Sequence, residues 1–217
     1  MKLAQCWDDG VTTDLRLVEL LRRHGAKASF NLNAGLHAPQ RRFGWMHQDT
    51  EVWRLGRDEL REVYQGFTIA NHGLTHSYLD RLDLEAARQD IVQGREQLQQ
   101  LFGQPVDGFA YPFGARNAAV ADLVRDAGHA YARTTMPSDR VTPPADPMGL
   151  HPSCHFLAPD FWQRLERADG AFYFWGHSYE MTTEAHWVAF EDTLVRLTHD
   201  PASHWCDVGD LLTPPTA

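Results

Sequence analysis

The sequence lacks any apolar run long enough to cross a bilayer. No stretch of its 217 residues approaches the roughly 18–20 consecutive apolar positions that a spanning helix requires. The N-terminal segment MKLAQCWDDG turns polar at once and has no apolar core of the kind that a signal peptide contains. We therefore expect a protein without a membrane span or a leader, located in the cytoplasm.

Cysteine is also scarce. The chain has only Cys6, Cys154 and Cys206, which are scattered and form no C-x-x-C pair. An odd set of this kind does not build a disulfide framework. We expect isolated, partly buried thiols in a reducing compartment, since free cysteine commonly behaves as a small apolar residue.

Basic residues are outnumbered. Lysine and arginine total 20 against 29 aspartate and glutamate residues, which gives a formal net charge of −9. This balance argues against a nucleic-acid partner, because nucleic-acid binding requires a basic face. No low-complexity tract or linker divides the chain, and its length suits one large core. The sequence therefore predicts a single domain over residues 1–217.

Short apolar runs alternate with helical patterns, which is typical of parallel βαβ units. About seven such units predict an α/β fold with a closed or nearly closed β/α barrel rather than an open sheet. The predicted strands cover residues 3–6, 28–33, 67–71, 108–114, 130–135, 151–156 and 171–177, with a strand-like tail at 204–212. The predicted helices cover residues 15–24 (with Asp14 as N-cap), 57–65, 83–102, 117–128, 159–168 and 187–199.

Three groups of polar residues follow predicted strands. The pair Asp8-Asp9 follows the first strand, the segment NHGLTH at 71–76 follows the third, and His177 ends a late strand. Because residues at the carboxyl ends of barrel strands line one shared mouth, we expect these three groups to meet.

His72 and His76 have the spacing of a metal-binding pair. On a helical turn this spacing places both imidazoles on one face, although two surface histidines would show the same pattern. A carboxylate expected at the same mouth favours the metal site. Two histidines and one carboxylate leave open positions on Zn²⁺ for water and substrate, as hydrolysis requires.

Two adjacent aspartates are suited to a division of labour. One carboxylate binds the metal while its neighbour accepts a proton from water, and the cation keeps both ionised. Gly10 lets the chain turn away without a side chain that blocks the site. The alternative is an Asp-Gly turn whose first aspartate caps a helix. His177 is a candidate third ligand, general acid or core histidine.

The order of the motifs resembles one family. CWDDG at 6–10 resembles T-F-D-D-G, NHGLTH at 71–76 resembles H-[ST]-x-x-[ST]-H, AYPFG at 110–114 resembles R-x-P-[YF]-G, and WGH at 175–177 resembles the last, His-containing motif. These are motifs of the polysaccharide deacetylase superfamily, the NodB-homology carbohydrate esterases. The resemblance implies a distorted barrel of about seven strands. It also implies removal of N- or O-linked acyl groups with a divalent metal, most commonly Zn²⁺, with Co²⁺, Ni²⁺ and Mn²⁺ as alternatives.

The resemblance also implies a role for each matching residue. Asp8 is then the general base, His177 the general acid, and the backbone N–H of Phe113 an oxyanion donor. The implied metal ligands are Asp9, His72 and His76. The expected substrate contacts are Tyr111, Pro112, Trp175, Glu180 and Arg133.

The chain departs from the family pattern at three places. Ala110 stands where the family usually has an arginine that braces the base, so either this brace is missing or Arg133 or Arg116 replaces it from a neighbouring strand. Gly73 stands where serine or threonine is usual. The family's Asp/Trp motif has no clear counterpart, and we expect HPSCHF at 151–156 at that wall of the pocket.

These observations predict a metal-dependent hydrolase that removes an acetyl or similar small acyl group from an amino sugar or polysaccharide. One alternative is a deformylase or amide hydrolase acting on an intracellular small molecule or a lipid-linked sugar. Another is an inactive metal- or sugar-binding domain. Residues 43–45, Phe-Gly-Trp, are expected in a surface loop beside the site.

Overall fold

Parallel strands and helices alternate along the chain, as the sequence predicts. The computed structural model describes residues 1–213. Its strands are β1 (Lys2–Asp8), β2 (Ser29–Leu32), β3 (Arg42–His47), β4 (Thr50–Arg54), β5 (Thr68–Asn71), β6 (Gly108–Ala110), β7 (Tyr131–Arg133), β8 (Cys154–His155), β9 (Ala171–Gly176) and β10 (His204–Trp205). Its helices are α1 (Asp14–Arg23), α2 (Arg57–Val63), α3 (Leu84–Phe102), α4 (Ala118–Asp126), α5 (Phe161–Arg167) and α6 (Glu184–Thr198).

The main sheet curls into a distorted barrel. Within residues 1–213 its strand order is β7-β6-β5-β2-β1-β9-β8, β10 pairs with β1, and every pair in it is parallel. The segment before β8 forms hydrogen bonds with strands near both edges of this sheet. The N–H of Leu150 donates to Ala132 of β7 (2.9 Å), and the N–H of Ser153 donates to Tyr173 of β9 (2.6 Å). The predicted barrel class is confirmed.

The barrel core is built from strands buried on both faces. Trp7 of β1 is fully buried and its ring lies edge-on to Phe156 and Phe190 at 5.0 and 5.2 Å. Helix α1 buries Leu17 and Leu21 against the same cluster. Burial of each large apolar side chain of this kind stabilises the folded state by roughly 1.5–3 kcal/mol. The core formed in this way fixes the positions of the strand ends that carry the polar residues.

Two strand boundaries differ from the prediction for identifiable reasons. β1 continues to Asp8, because Asp8 pairs in register with Asn31 of β2. The strand predicted over 108–114 ends at Ala110 instead. Pro112 has no N–H to donate to a neighbouring strand and begins a 3₁₀ turn, Pro112–Gly114.

The expectation of a surface loop at residues 43–45 is wrong. β3 and β4 form an antiparallel hairpin, inserted between β2 and α2. Its turn uses Gln48 at φ +51° and Asp49. This turn lacks the Asn-Gly or Asp-Gly pair that marks a tight hairpin in sequence, which explains why the pattern did not indicate one.

The expectation that Asp14 is an N-cap is also wrong. Thr13 occupies the N-cap position and Asp14 is the first residue of α1. Asp14 is fully buried, and its carboxylate accepts hydrogen bonds from the N–H of Val11, the hydroxyl of Tyr64 and the hydroxyl of Ser178. It therefore ties three loops together rather than capping its own helix.

The cysteines behave as the sequence indicates. Cys6, Cys154 and Cys206 are free thiols, and all three are buried. Across the part of the chain that the structure describes, no helix combines the length and the apolar character needed to cross a membrane.

Candidate active site

The predicted polar residues meet at the carboxyl ends of the strands. A cavity of about 410 Å³ opens there, and its wall includes all of the residues assigned to catalysis or metal binding, namely Asp8, Asp9, His72, His76, Phe113 and His177. The parallel barrel accounts for this convergence, since it turns every strand end toward one mouth.

Asp8 is the most tightly held carboxylate of the cavity. The amide of Asn31 donates to its Oδ1 at 2.6 Å, and the guanidinium of Arg133 donates to its Oδ2. The Nε2 atoms of His72 and His177 each lie 3.8 Å from Oδ2. Burial by itself raises the pKa of Asp8, but Arg133, the two histidines and the Asn31 amide outweigh it and hold the pKa far below its usual range. Asp8 is therefore a buried, ionised carboxylate.

Arg133 replaces the missing brace from the neighbouring strand. Ala110 on β6 and Arg133 on β7 are register partners in the sheet, so an arginine at either position projects from the same level of the wall. Arg133 is fully buried, and its guanidinium also lies 4.6 Å from the Trp175 ring. Arg116, the other candidate, instead lies 3.4 Å from Asp146. Arg133 therefore contacts Asp8 and also lies in the cavity wall, and its assignment as a substrate contact stays a prediction.

The backbone of Asp9 is constrained, whereas its carboxylate is available to bind a cation. Its φ of +84° lies in the left-handed region, which a non-glycine residue adopts only under constraint. Its Oδ1 is buried and has no hydrogen-bond partner within residues 1–213. The Nε2 of His76 lies 3.6 Å from that oxygen. An unpaired buried carboxylate oxygen is unfavourable unless a cation completes it.

His72 and His76 face each other without the helical turn on which their spacing would place both rings on one face. Both lie in an irregular loop after β5, with Gly73 at φ +73° and His76 at φ +56°. Asp90 of α3 shapes this loop, because its carboxylate accepts from the N–H groups of Leu74 (2.8 Å) and Thr75 (3.1 Å). A Cβ at position 73 would lie 2.5 Å from Asp90 Oδ1, which accounts for glycine in this motif.

Both imidazoles are suited to bind a metal. The rings lie 4.7 Å apart at 78°. The Nδ1–H of His72 donates to the carbonyl of Ala110 at 2.7 Å, so its Nε2 carries the lone pair. Burial lowers the pKa of His72 to about 4 and also lowers the pKa of His76. Neutral imidazole is the form that coordinates metal ions.

The residues present fit a divalent ion. Ligand atoms of Asp9, His72 and His76 all lie within 4.8 Å of one another, and the Oδ1 of Asp9 lies 3.6 Å from the Nε2 of His76. Two nitrogen donors and one carboxylate form a donor set that Zn²⁺ accepts, and other first-row divalent ions accept it too.

His177 is oriented by a neighbour in its own turn. Glu180 Oε2 accepts from the backbone N–H of His177 at 3.0 Å and lies 3.2 Å from its Nδ1. His155 Nε2 lies 3.0 Å from the same oxygen. Burial opposes both charges, yet His155 and His177 lower the pKa of Glu180 to about 2, while Glu180, Asp8 and Asp9 raise the pKa of His177. Glu180 therefore orients His177, and its assignment as a substrate contact stays a prediction.

The third motif contributes less polar contact than predicted. The Tyr111 ring lines the cavity, but its hydroxyl donates to the carbonyl of Met148 at 2.9 Å. Pro112 is buried and lies outside the cavity wall. Phe113, at φ +58°, is half exposed and stacks on Tyr78 with ring centres 3.8 Å apart. Trp175 lies in the cavity wall with its ring near Arg133, and its contact with substrate stays a prediction.

Two residues of the site, Asn31 and Arg54, were missed from sequence. Asn31 is a polar residue within an apolar strand, and that local contrast is a usable signal. Tyr179 lines the cavity, and Arg54 of the hairpin donates to the carbonyl of Asp9 at 2.7 Å. Arg54 has no sequence signature, because it reaches the site through a tertiary contact, whereas Tyr179 is only two residues from His177 in sequence.

Three solved structures share the fold. One is a Streptococcus pyogenes deacetylase, PplD, in complex with acetate (17% identity, TM-score 0.61, covering 75% of this chain and 68% of that one). Another is the Xyl-CE4 domain of a multidomain xylanase from the hindgut metagenome of Trinervitermes trinervoides (15%, 0.61, 97% and 88%). A third is a Bacillus anthracis CE4 family pseudoenzyme (15%, 0.63, 97% and 65%).

At these identities the likeness concerns the fold alone. No curated protein matches the sequence. The family profile described as polysaccharide deacetylase matches residues 2–132. That range includes Asp8, Asp9, His72, His76 and Phe113, and it ends one residue before Arg133. Since this match covers more than half of the chain, the chain belongs to the polysaccharide deacetylase family.

Proposed function

We propose that the protein is a metal-dependent hydrolase that removes an N-linked acetyl or similar small acyl group from an amino sugar or polysaccharide. One arrangement carries the proposal. The ionised Asp8 and the Nε2 of His177 lie 3.8 Å apart beside the group formed by Asp9, His72 and His76. A base, an acid and a cation site in one cavity are the requirements of amide hydrolysis.

Asp9, His72 and His76 are the residues that would hold the ion. Zn²⁺ is the best match to two imidazoles and one carboxylate, with Co²⁺, Ni²⁺ and Mn²⁺ as alternatives. When bound, such an ion polarises the acyl carbonyl and makes a nearby water more acidic. The backbone N–H of Phe113, in the turn that follows β6, is the proposed second donor to the developing oxyanion.

Asp8 is the proposed base. Arg133 and Asn31 fix its carboxylate from two sides, so no reorientation is needed before it accepts a proton from the attacking water. Its position at the end of β1, next to the ligand Asp9, places proton acceptor and cation site on consecutive residues.

His177 is the proposed acid. With Nδ1 held by Glu180, its Nε2 faces the cavity, 3.8 Å from Asp8 Oδ2 and 4.0 Å from Asp9 Oδ2. The three nearby carboxylates favour the protonated imidazole, which can then give its proton to the departing amine. The proposed base and the proposed acid would thus both lie next to the carbonyl carbon of the acyl group.

Asp8→Asn tests the proposal. We expect the variant to keep Zn²⁺ binding, because Asp9, His72 and His76 are unchanged, and to lose about 10²- to 10⁴-fold in turnover. The measurements are acetate release from N-acetylglucosamine oligomers and Zn²⁺ content per chain. Asp9→Asn is the matched control, in which the loss of Zn²⁺ is expected instead.

Two results would contradict the proposal. One is a purified wild-type protein that binds no divalent ion. The other is a metal-loaded protein that binds sugars yet hydrolyses no N-acetyl, N-formyl or cyclic amide substrate, which would identify an inactive binding domain.

A further inference from the structure

The β3–β4 hairpin docks directly onto the segment that follows the two aspartates. The N–H of Thr12 donates to the carbonyl of Trp53 at 2.8 Å, and the N–H of Leu55 donates to the carbonyl of Gly10 at 3.0 Å. Arg54 and Val11 form an antiparallel bridge between these two bonds. The end of β4 therefore extends alongside residues 10–12 and fixes the path of the chain as it leaves Asp9.

Arg54 adds a side-chain contact to this pairing. It is buried, at 7% exposure, and its Nη1 donates to the backbone carbonyl of Asp9 at 2.7 Å. Its Nη2 lies 3.8 Å from Asp9 Oδ1, which is too far for a hydrogen bond. The guanidinium thus holds the backbone of Asp9 and leaves the carboxylate oxygen open toward His76.

The backbone of Asp9 needs such a constraint. Its φ of +84° is unfavourable for a residue with a Cβ and persists only where surrounding contacts impose it. The carbonyl of Asp9 would also lose its buried donor if Arg54 were absent. Both effects would let the peptide rotate and turn Oδ1 away from the imidazoles.

The guanidinium is itself held in place. It lies 5.0 Å from the centre of the Trp45 ring, and Trp45 lies edge-on to Tyr179 at 5.2 Å. Tyr179 lies 4.9 Å from the His177 ring. The hairpin therefore places the packed guanidinium of Arg54 in the site. Its contact to Asp9 is preorganised rather than adaptable.

We propose that Arg54 is a positioning residue that holds Asp9 in the left-handed conformation required for metal binding. The inference rests on the proposed function, since it assumes that Asp9 is a ligand. It assigns a role in the site to the inserted hairpin, which the family motifs do not include.

Zn²⁺ affinity of the metal-free protein tests the inference. Arg54→Met and Arg54→Gln both remove the contact to the Asp9 carbonyl. We expect each to weaken Zn²⁺ binding by about 10- to 100-fold, the usual effect of losing a group that orients a ligand. Arg54→Lys keeps a long cationic donor and should recover most of that loss. The measurement is a competition titration with a chromophoric chelator, with thermal unfolding of each metal-free variant as the test of folding.

Arg42→Met is the matched control. Arg42 is the register partner of Arg54 in the same hairpin, but it is exposed and lies away from Asp9. Its Zn²⁺ affinity should equal that of the wild type. If Arg54→Met does not fold, Arg54→Gln carries the test.

The outcomes separate the inference from the function on which it rests. A wild-type protein that binds neither Zn²⁺ nor any other divalent ion would overturn both. A wild type that binds Zn²⁺, together with folded Arg54 variants of unchanged affinity, would overturn the inference alone. Tighter binding in the variants would also overturn it, because it would show that the guanidinium acts mainly by repelling the ion.

Discussion

Asp8 at the end of β1 and His177 directly after the neighbouring strand β9 line one cavity, but they are held in opposite ways. The partners of Asp8 come from distant segments, since Asn31 is 23 residues away and Arg133 is 125 residues away. The partner of His177 is Glu180, three residues further along the same turn. Asp8, the proposed base, therefore depends on correct closure of the whole barrel, whereas His177, the proposed acid, depends largely on one local turn.

The energetics of the two pairs also differ. Asp8 and Arg133 are each almost fully buried, so removal of either partner leaves a charge without compensation, which destabilises proteins by about 3–5 kcal/mol. His177 and Glu180 are partly exposed, with side-chain exposures of 18% and 20%. Because solvent weakens the coupling between partly exposed groups, the loss of Glu180 should act on the chemistry more than on the fold.

The largest expected effect follows from breaking the Asp8 side. Arg133→Ala should lower the free energy of unfolding by about 3–5 kcal/mol. It should also lower turnover by about 100-fold, as part of the contribution of a general base. The reason is that Asp8 loses the cation that keeps it ionised and fixed. Urea unfolding and acetate release measure the two effects.

A relocation of the arginine sharpens this prediction. Ala110→Arg combined with Arg133→Ala moves the guanidinium to the register partner on β6, where the family usually carries it. The double variant should recover part of the activity that Arg133→Ala loses. Arg116→Ala is the control and should leave turnover unchanged. Equal activity of Arg133→Ala and the wild type would show that Asp8 needs no cationic brace.

A smaller effect is expected on the His177 side. Glu180→Gln removes the carboxylate that orients Nδ1 and favours the protonated ring, so kcat should fall by about 10- to 100-fold. KM should change little, because Glu180 does not line the cavity. Steady-state kinetics separate the two parameters.

Glu184→Gln is the matched control for this variant. Glu184 lies four residues beyond Glu180, is exposed and pairs with Arg16, so its loss should leave both parameters as in the wild type. If Glu180→Gln instead raised KM and left kcat unchanged, Glu180 would be a substrate contact, as the sequence first indicated.

The same contrast between local and distant contacts explains which features could be predicted from the sequence. The positions of Asp8, Asp9 and His177 at one mouth follow from local apolar periodicity together with the rule that parallel strand ends converge. The barrel class follows from the same periodicity. Glu180 was noticed because it is close to His177 in sequence, even though its contact was assigned to substrate.

Features that arise from distant contacts were not accessible in this way. The loop of His72 and His76 is irregular because Asp90, on the next helix, replaces helical hydrogen bonds with its carboxylate. Arg54 reaches Asp9 through a hairpin that has no turn signature. Sequence offered Arg133 and Arg116 as equal candidates, and only the register of β6 and β7 separates them.

Asp14 extends the comparison to a carboxylate without a cation. It is fully buried like Asp8, but its partners are the neutral donors Val11 N–H, Tyr64 and Ser178. Burial raises its pKa to about 7 despite these bonds, whereas an unfolded chain has a value of about 3.9. Between these values the folded protein holds a proton that the unfolded chain has lost. Stability contributed by Asp14 therefore falls as the pH rises from about 4 to about 7, by about 1.4 kcal/mol per pH unit.

Asp14→Asn tests this contrast, because asparagine resembles the neutral acid and does not titrate. Between pH 5 and pH 7 the wild type should lose about 2–3 kcal/mol of unfolding free energy relative to the variant, measured by urea titration at each pH. Asp192→Asn, an exposed site on α6, should keep the pH dependence of the wild type. Parallel curves for wild type and Asp14→Asn would show that Asp14 is ionised in the folded protein at pH 5, and that neutral donors suffice to stabilise a buried carboxylate as Arg133 does for Asp8.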